Sequence, residues 1–418
     1  MARRKVDFLL VGGGVASAAA ARTLREEGAD GSVLLVGREI DPPYHRPPAS
    51  KGYLTGSESR EDAFVHAPSW YVDNDVELLT RTSVLELDTQ ARVAKLSTKE
   101  EVEYGQALVA TGAMVRRLAV DGAQLDGLHY LRALGNADAI RADTEQAENV
   151  VLVGGSYIGC EVAASLTALG RRCTIVMLES VTLERAFGPQ AGRFFHELLE
   201  ERGVRIVPGD EVDRFEGDGD GDAPPRVRRV VTKAGVELPA DAVVLGVGAQ
   251  PDVMLARKSG LTLGDLGGVR VDDRLRTSAR GVFAAGDIAE YDSVVHRRVM
   301  RIEHEDVAEQ QGRTAALNML GADRPHDVVP YFFSDLSDWV SLEYLGPAHE
   351  WDQEVVRGAP GDGSFSRWYM KQGRVAAVLS VGRSEDLEHA RRLIGGRHRL
   401  EDPADLADED SDLGDVGA

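Results

Sequence analysis

The sequence predicts an α/β protein built from two βαβ halves, followed by a smaller β-rich α+β region. Three observations carry this. An apolar strand running into a glycine-rich turn occurs at residues 6–17 (VDFLLVGGGVAS) and again at residues 150–161 (VVLVGGSYIGCE). Each turn leads into a helix-forming segment and then a second apolar strand, the pattern of a βαβ unit. From about Pro330 the chain changes to short runs rich in aromatics and Val, which read as strands of a third domain.

The elements follow in order. Residues 8–11 are four apolar residues ending in glycine, a buried parallel strand. Residues 15–27 are Ala-rich and helical, and residues 32–36 form the next strand. Residues 42–50 hold four prolines in nine positions. They are therefore expected as an extended loop rather than a helix or strand. Short strands are expected at 92–96 and 108–110. The second unit places a helix over 158–169 and a strand over 173–178. Residues 217–225 (GDGDGDAPP) read as a solvated hairpin tip; their alternating aspartates lack the Gly and Glu that complete a calcium loop. Further strands are expected at 243–247 and 282–284, and a helix over 303–320. In the third region, strands are expected at 331–333, 340–344, 365–370 and 375–381, closed by a helix over 387–393.

Bulk properties narrow the function. A chain of 418 residues with 43% hydrophobic content can build two or three cored domains. Its net charge of −21 argues against nucleic-acid or anionic-membrane binding by overall field. Eight acids and no basic residue lie in 401–418, which is expected to be a disordered tail. No apolar stretch approaches the roughly 18 residues needed to span a bilayer. The N-terminal ARRK and the apolar run after it imitate a signal peptide, but Asp7 and three glycines interrupt it, so a cytoplasmic location is expected. Cys160 and Cys173 form no C-x-x-C motif and are expected as buried reduced thiols, with no metal site.

The glycine turns carry the first chemistry. Gly12-x-Gly14-x-x-Ser17 lets the backbone approach a pyrophosphate, which the N-terminus of the next helix would face. Glu39, three residues past that unit's second strand, can accept from a ribose hydroxyl. In the second turn Ser156 replaces the middle glycine, where its side chain would either crowd a pyrophosphate or bond to it. Glu179 ends the following strand, and an acid there favours the 2′-hydroxyl of NAD over the phosphate of NADP. Arg185 nearby weakens that preference. Two such turns imply two Rossmann-like, dinucleotide-binding halves.

Four further segments point to one family. Tyr44-His45-Arg46-Pro47-Pro48-Ala49-Ser50-Lys51 resembles the PYxRPPLSK segment of flavoprotein reductases. Ala110-Thr111-Gly112 resembles the ATG ending the first FAD-binding segment. Gly246-Val247-Gly248-Ala249-Gln250-Pro251 resembles the turn where the chain re-enters the flavin domain. Residues 277–287 (TSARGVFAAGD) resemble the late FAD signature. Over roughly residues 5–385 the chain thus resembles the FAD-dependent pyridine nucleotide reductases, in the branch of ferredoxin reductases and apoptosis-inducing factor.

The resemblance implies a glutathione-reductase-like organisation: an FAD-binding domain over 1–116 and 245–321, an NAD-binding domain over 117–244, and a C-terminal α+β interface domain over 322–400. It implies that Gly12, Gly14 and Glu39 hold the ADP part of FAD and that the backbone of Val84 meets the adenine. Arg46 and Lys51 would lie along the isoalloxazine side, Arg132 and Asp287 at the ribityl–phosphate region, and His304 and Glu305 beside the flavin ring. Glu303, His304, Gly248 and Phe333 would border the nicotinamide. Gly155, Tyr157, Ile158 and Glu179 would bind NADH, with Tyr157 as an aromatic lid. Phe333 departs from the Trp that relatives often carry.

Lys51 and Glu161 stand as a candidate catalytic pair. An ammonium near the flavin would stabilise negative charge arriving with a hydride, and a carboxylate opposite would keep it charged and oriented. The residues alone fit equally a surface lysine and a helix-N-terminal acid favoured by the dipole. The resemblance implies an NADH-dependent FAD oxidoreductase that passes electrons to a small iron–sulfur protein such as a ferredoxin or rubredoxin. The alternatives are an NADH oxidase or quinone reductase, and a redox-sensing interaction protein like apoptosis-inducing factor. An acidic ferredoxin would need a local basic patch, for which Arg297, Arg298 and Arg301 are candidates. A homodimer through the C-terminal domain is a further expectation.

Overall fold

The computed structural model describes residues 4–218 and 225–417. The first sheet is built on the strand Arg4–Val11, whose residues Leu9 and Leu10 are fully buried. It pairs in parallel with Val33–Val36 on one side and with Glu101–Val109 on the other. Val76–Leu79 extends one edge in parallel, and Val93–Leu96 and Val84–Asp88 extend the other antiparallel. Val282–Ala284 pairs in parallel with Glu101–Val109, so the chain returns to this sheet after leaving it for the second half.

Helix Val15–Glu26 packs on helix Glu305–Met319. Gly312 permits that approach, since a Cβ there would sit 2.1 Å from the Ala16 carbonyl oxygen. The second sheet is all parallel, in the order Arg205–Val207, Arg172–Val176, Asn149–Val153, Ala242–Leu245, Leu128–Tyr130. Helix Tyr157–Ala168 follows its central strand. The third sheet is antiparallel, in the order Tyr331–Leu336, Val340–Leu345, Arg374–Val381, Ser364–Lys371, Gln353–Ala359.

Three expectations need correcting. The proline-rich stretch is not extended throughout: Pro47–Ser50 forms a 3₁₀ turn. Proline is tolerated in the first turn of a helix because the amide it lacks would be unpaired there anyway. The helix expected from 303 begins at Glu305, with His304 as its N-cap. The acidic tail is not disordered. Residues 403–406 form a short 3₁₀ turn, and Leu406, Leu413 and Val416 are buried against Leu393 and Ile394. Arg392 donates to the carbonyls of Leu413 (2.9 Å) and Val416 (2.8 Å), and Arg357 donates to that of Ser411 (3.1 Å). The acids face outward, so local charge density concealed three anchoring apolar positions.

The sequence reading missed helix Leu134–Thr144, strand Gln353–Ala359 and helix Glu184–Glu201. The last is bent at Gly188 and Pro189, which broke its pattern. Of the expected tip at 217–225, residues 219–224 lie outside the described residues; the flanking strands Val212–Asp218 and Arg226–Thr232 pair antiparallel. Among the described residues, no helix is long and apolar enough to cross a membrane.

Candidate active site

The two glycine turns differ in what each position needs. Gly12 has φ +126°, and a Cβ on it would lie 2.1 Å from the Ala110 carbonyl oxygen. Gly154 repeats this, with φ +109° and a Cβ 2.4 Å from the Gly246 carbonyl oxygen. Only glycine fits either place. The middle position is unlike them. Gly14 has φ −109° with open space where a Cβ would stand, and its counterpart Ser156 has φ −91°. Neither value demands glycine. Ser156 therefore occupies its helix N-cap without backbone strain, and its exposed side chain faces the pockets described next.

The first turn opens onto a cleft of ≈ 760 Å³. Of the expected site residues, Gly12, Gly14, Glu39, Arg46, Val84, Arg132, Tyr157, Ile158, Glu161, Gly248, Asp287, His304, Glu305 and Phe333 line it. The second turn opens onto a smaller pocket of ≈ 290 Å³, lined by Gly155, Ser156, Tyr157, Glu179, Arg185 and His304 among others. Ser156, Tyr157 and His304 border both, so the two spaces meet there. Lys51, among the expected residues, lines neither; it lies against the wall of the larger cleft.

At one end of the cleft, Arg46 ties the wall together. Its Nη2 donates to Glu39 Oε1 at 2.6 Å and its Nη1 to the Arg132 carbonyl at 2.5 Å. Tyr44 Oη donates to Glu39 Oε2 at 2.5 Å. Burial alone would raise the Glu39 pKa, but Arg46 and these hydrogen bonds outweigh it and hold the group below its ordinary value. A carboxylate oxygen can accept more than one bond, so Glu39 keeps capacity for a ligand hydroxyl. Arg132 Nη2 donates to Asp287 Oδ2 at 2.7 Å. Glu305 accepts from the Arg46 amide and pairs with His45 Nδ1, both at 2.8 Å. That bond raises the His45 pKa against the pull of burial.

The two residues of the candidate pair, Lys51 and Glu161, lie close together. Lys51 Nζ stands 3.6 Å from Glu161 Oε1 and 4.7 Å from the Phe333 ring centroid. Glu161 also accepts from Ser50 Oγ (2.6 Å) and Ser334 Oγ (2.5 Å). Burial raises its pKa, and Lys51 offsets this only in part. A second acid was missed. Asp335 Oδ2 accepts from Lys51 Nζ at 2.9 Å. Nothing local in the sequence marks it, because the contact joins strand Tyr331–Leu336 to a residue 284 positions earlier.

Where the pockets meet, Tyr157 packs on Phe332 with ring centroids 4.4 Å apart, and His304 lies 4.9 Å from the same ring. Burial depresses the His304 pKa to about 4, so the ring is neutral near pH 7. Its Nδ1 is buried, and a hydrogen bond with the Tyr331 backbone works against the depression without cancelling it. In the smaller pocket Arg185 forms an ion pair with Glu179. Of the proposed basic patch, Arg297 and Arg298 are exposed, whereas Arg301 is engaged with an acid. Arg301 pairs with Glu303 at 2.6 Å and donates to two backbone carbonyls, and Arg298 donates to the Pro347 carbonyl at 3.2 Å. Cys160 and Cys173 are buried and free, and burial pushes both thiols up, Cys173 to about 11.

Two glycine turns, a cleft and a pocket that share a wall, and a carboxylate-held lysine beside it define a two-nucleotide oxidoreductase. Comparison with known proteins agrees. The family described as pyridine nucleotide-disulphide oxidoreductase matches residues 6–312, and that described as reductase C-terminal matches residues 331–416. The chain belongs to the pyridine nucleotide-disulphide oxidoreductase family. It is 34% identical to the ferredoxin reductase subunit of a 5,5′-dehydrodivanillate O-demethylase from Sphingobium, over 99% of this chain and 98% of that one. A ferredoxin reductase structure from Rhodopseudomonas palustris superposes with a TM-score of 0.92 at 32% identity, covering 98% of both chains. The reductase in a covalent putidaredoxin reductase–putidaredoxin complex matches with a TM-score of 0.92 at 31% identity, covering 98% of this chain and 97% of that one.

Proposed function

We propose that this protein is an NADH-dependent FAD oxidoreductase that delivers electrons to a small iron–sulfur protein of the ferredoxin class. The observation that carries the reading is the meeting of the two nucleotide spaces at Ser156, Tyr157 and His304. The residues fit the two cofactors. Gly12 brings the backbone close, and Gly14 leaves open space at the helix N-terminus where a pyrophosphate would bind. Gly154 and the helix N-terminus at Ser156 would serve NADH in the second half, with Glu179 accepting from a ribose hydroxyl. His304 lines both spaces and is a neutral imidazole at the point where they meet.

FAD supplies hydride acceptance from NADH and the release of electrons one at a time. The chain's own residues bind, orient and shield. Glu39, Arg46, Arg132 and Asp287 form a charged, internally paired wall. Tyr157 and Phe332 place two packed aromatic rings beside the boundary between the spaces. The Lys51 ammonium, held by carboxylates, adds positive field to the wall. The domain division proposed is 1–116 with 245–321 for FAD, 117–244 for NADH, and a C-terminal domain from 322 that contributes Phe332 and Phe333.

Relatives named as ferredoxin reductases stand beside plant monodehydroascorbate reductases, and neither name favours an oxidase or a sensor. The test is anaerobic reduction of the FAD-loaded protein by NADH, followed by admission of either a ferredoxin or air. Fast reoxidation by ferredoxin and slow reoxidation by air is expected. Equally fast reoxidation by air would indicate an oxidase, and slow reoxidation by both would indicate a sensor; either outcome contradicts the proposal.

A further inference from the structure

The region around Lys51 holds one acid that the expected Lys51–Glu161 pair does not use. Asp335 lies closer to the ammonium than Glu161 does, 2.9 Å against 3.6 Å. The two acids differ in setting. Glu161 is buried and already satisfied by two serine hydroxyls, whereas Asp335 is about one-third exposed. Asp335 is itself oriented, because its Oδ1 accepts from Ser341 Oγ at 2.7 Å across the hairpin that joins Tyr331–Leu336 to Val340–Leu345.

We infer that Asp335 is a positioning residue for Lys51: from the C-terminal sheet it fixes the ammonium against the wall formed by Glu161 and Phe333, so that the C-terminal domain helps set the charge beside the cleft. This rests on the reading that the cleft binds FAD. Lysine has a flexible four-carbon stem, so one long contact to Glu161 leaves its head poorly fixed. A second carboxylate on a different element removes that freedom. The contact to Asp335 is also the shorter of the two and a direct hydrogen bond. Phe333, two residues before Asp335 on the same strand and thus on the same face, receives the ammonium over its ring. One strand therefore supplies both the anion and the aromatic face that hold Lys51.

The test compares FAD-loaded parent, Asp335→Asn, Asp335→Glu, Lys51→Ala and the Asp335→Asn/Lys51→Ala double variant. Two readouts are taken: the anaerobic rate of reduction by NADH and the reduction potential of the bound flavin. Asp335→Asn is expected to slow reduction roughly tenfold with little change in the NADH concentration dependence, and to shift the potential. Asp335→Glu is expected to recover most of both. In the Lys51→Ala background, Asp335→Asn is expected to add little, because neighbours acting through one group are not additive. Full additivity with Lys51→Ala, or an Asp335→Asn protein with parental rate and potential, would overturn the inference. If Asp335→Asn loses FAD, Ser341→Ala serves instead. It is expected to produce the same changes at smaller size, and parental behaviour there would overturn the inference equally. Failure of the underlying functional reading shows separately, as a parent protein that binds no FAD or that NADH does not reduce.

Discussion

Ser156 is where the residue-level account departs most from the sequence pattern. The motif expects glycine there, and the substitution raised the prospect of a crowded pyrophosphate. Backbone geometry puts no strain on the serine: φ is −91°, which any residue adopts, whereas Gly154 and Gly159 leave no room for a side chain. A Cβ on Gly159 would lie 1.9 Å from the Gly154 carbonyl oxygen. Replacing Ser156 by Gly is therefore expected to change the dissociation constant for NADH by no more than about threefold, less than ~0.7 kcal/mol. Fluorescence titration measures it, and a tenfold gain in affinity would show that the hydroxyl does crowd the ligand.

The element that best shows coupling between distant parts is helix Glu305–Met319. Its first residue accepts from His45 and from the Arg46 amide, which anchors the proline-rich segment to the far side of the cleft. The hydrogen bond to Glu305 raises the His45 pKa above its ordinary value near 6.5. A raised folded-state value means the contact stabilises fully below the unfolded pKa and fades as pH rises through the folded one. Replacing His45 by Asn should therefore lower the thermal midpoint more at about pH 5.5 than at about pH 8.5. Equal losses at the two pH values would show that charge plays no part in this anchor. The segment also shows a limit of sequence reading. Four prolines rule out a long helix, but not the 3₁₀ turn that Pro47–Ser50 makes.

For the whole molecule, the two βαβ halves were legible because strand, glycine turn and helix are adjacent in sequence. The strand Val282–Ala284 was legible as an apolar run within residues 277–287, which resemble the late FAD signature. What escaped depends on distant contacts. Asp335 gains its partner through folding alone, and helix Glu184–Glu201 hides behind its own Gly-Pro bend. The acidic tail was misread because composition outweighs three well-spaced apolar residues in any local window. Leu406 is fully buried, so Leu406→Ala is expected to cost about 2–5 kcal/mol. Thermal or urea unfolding checks this, and a loss below about 0.5 kcal/mol, the surface range, would contradict a packed tail.

The central claim is a division of labour: the first glycine turn holds FAD and the second presents NADH. The most direct measurement compares the FAD content and NADH-dependent flavin reduction of Gly12→Ala and Gly159→Ala. A Cβ collides with backbone in both, but in different halves. Gly12→Ala is expected to be colourless and inert. Gly159→Ala is expected to retain FAD, to be reduced normally by dithionite, and to lose most of its reduction by NADH. Loss of FAD from Gly159→Ala with retention in Gly12→Ala, or unimpaired NADH reduction in both, would contradict the account.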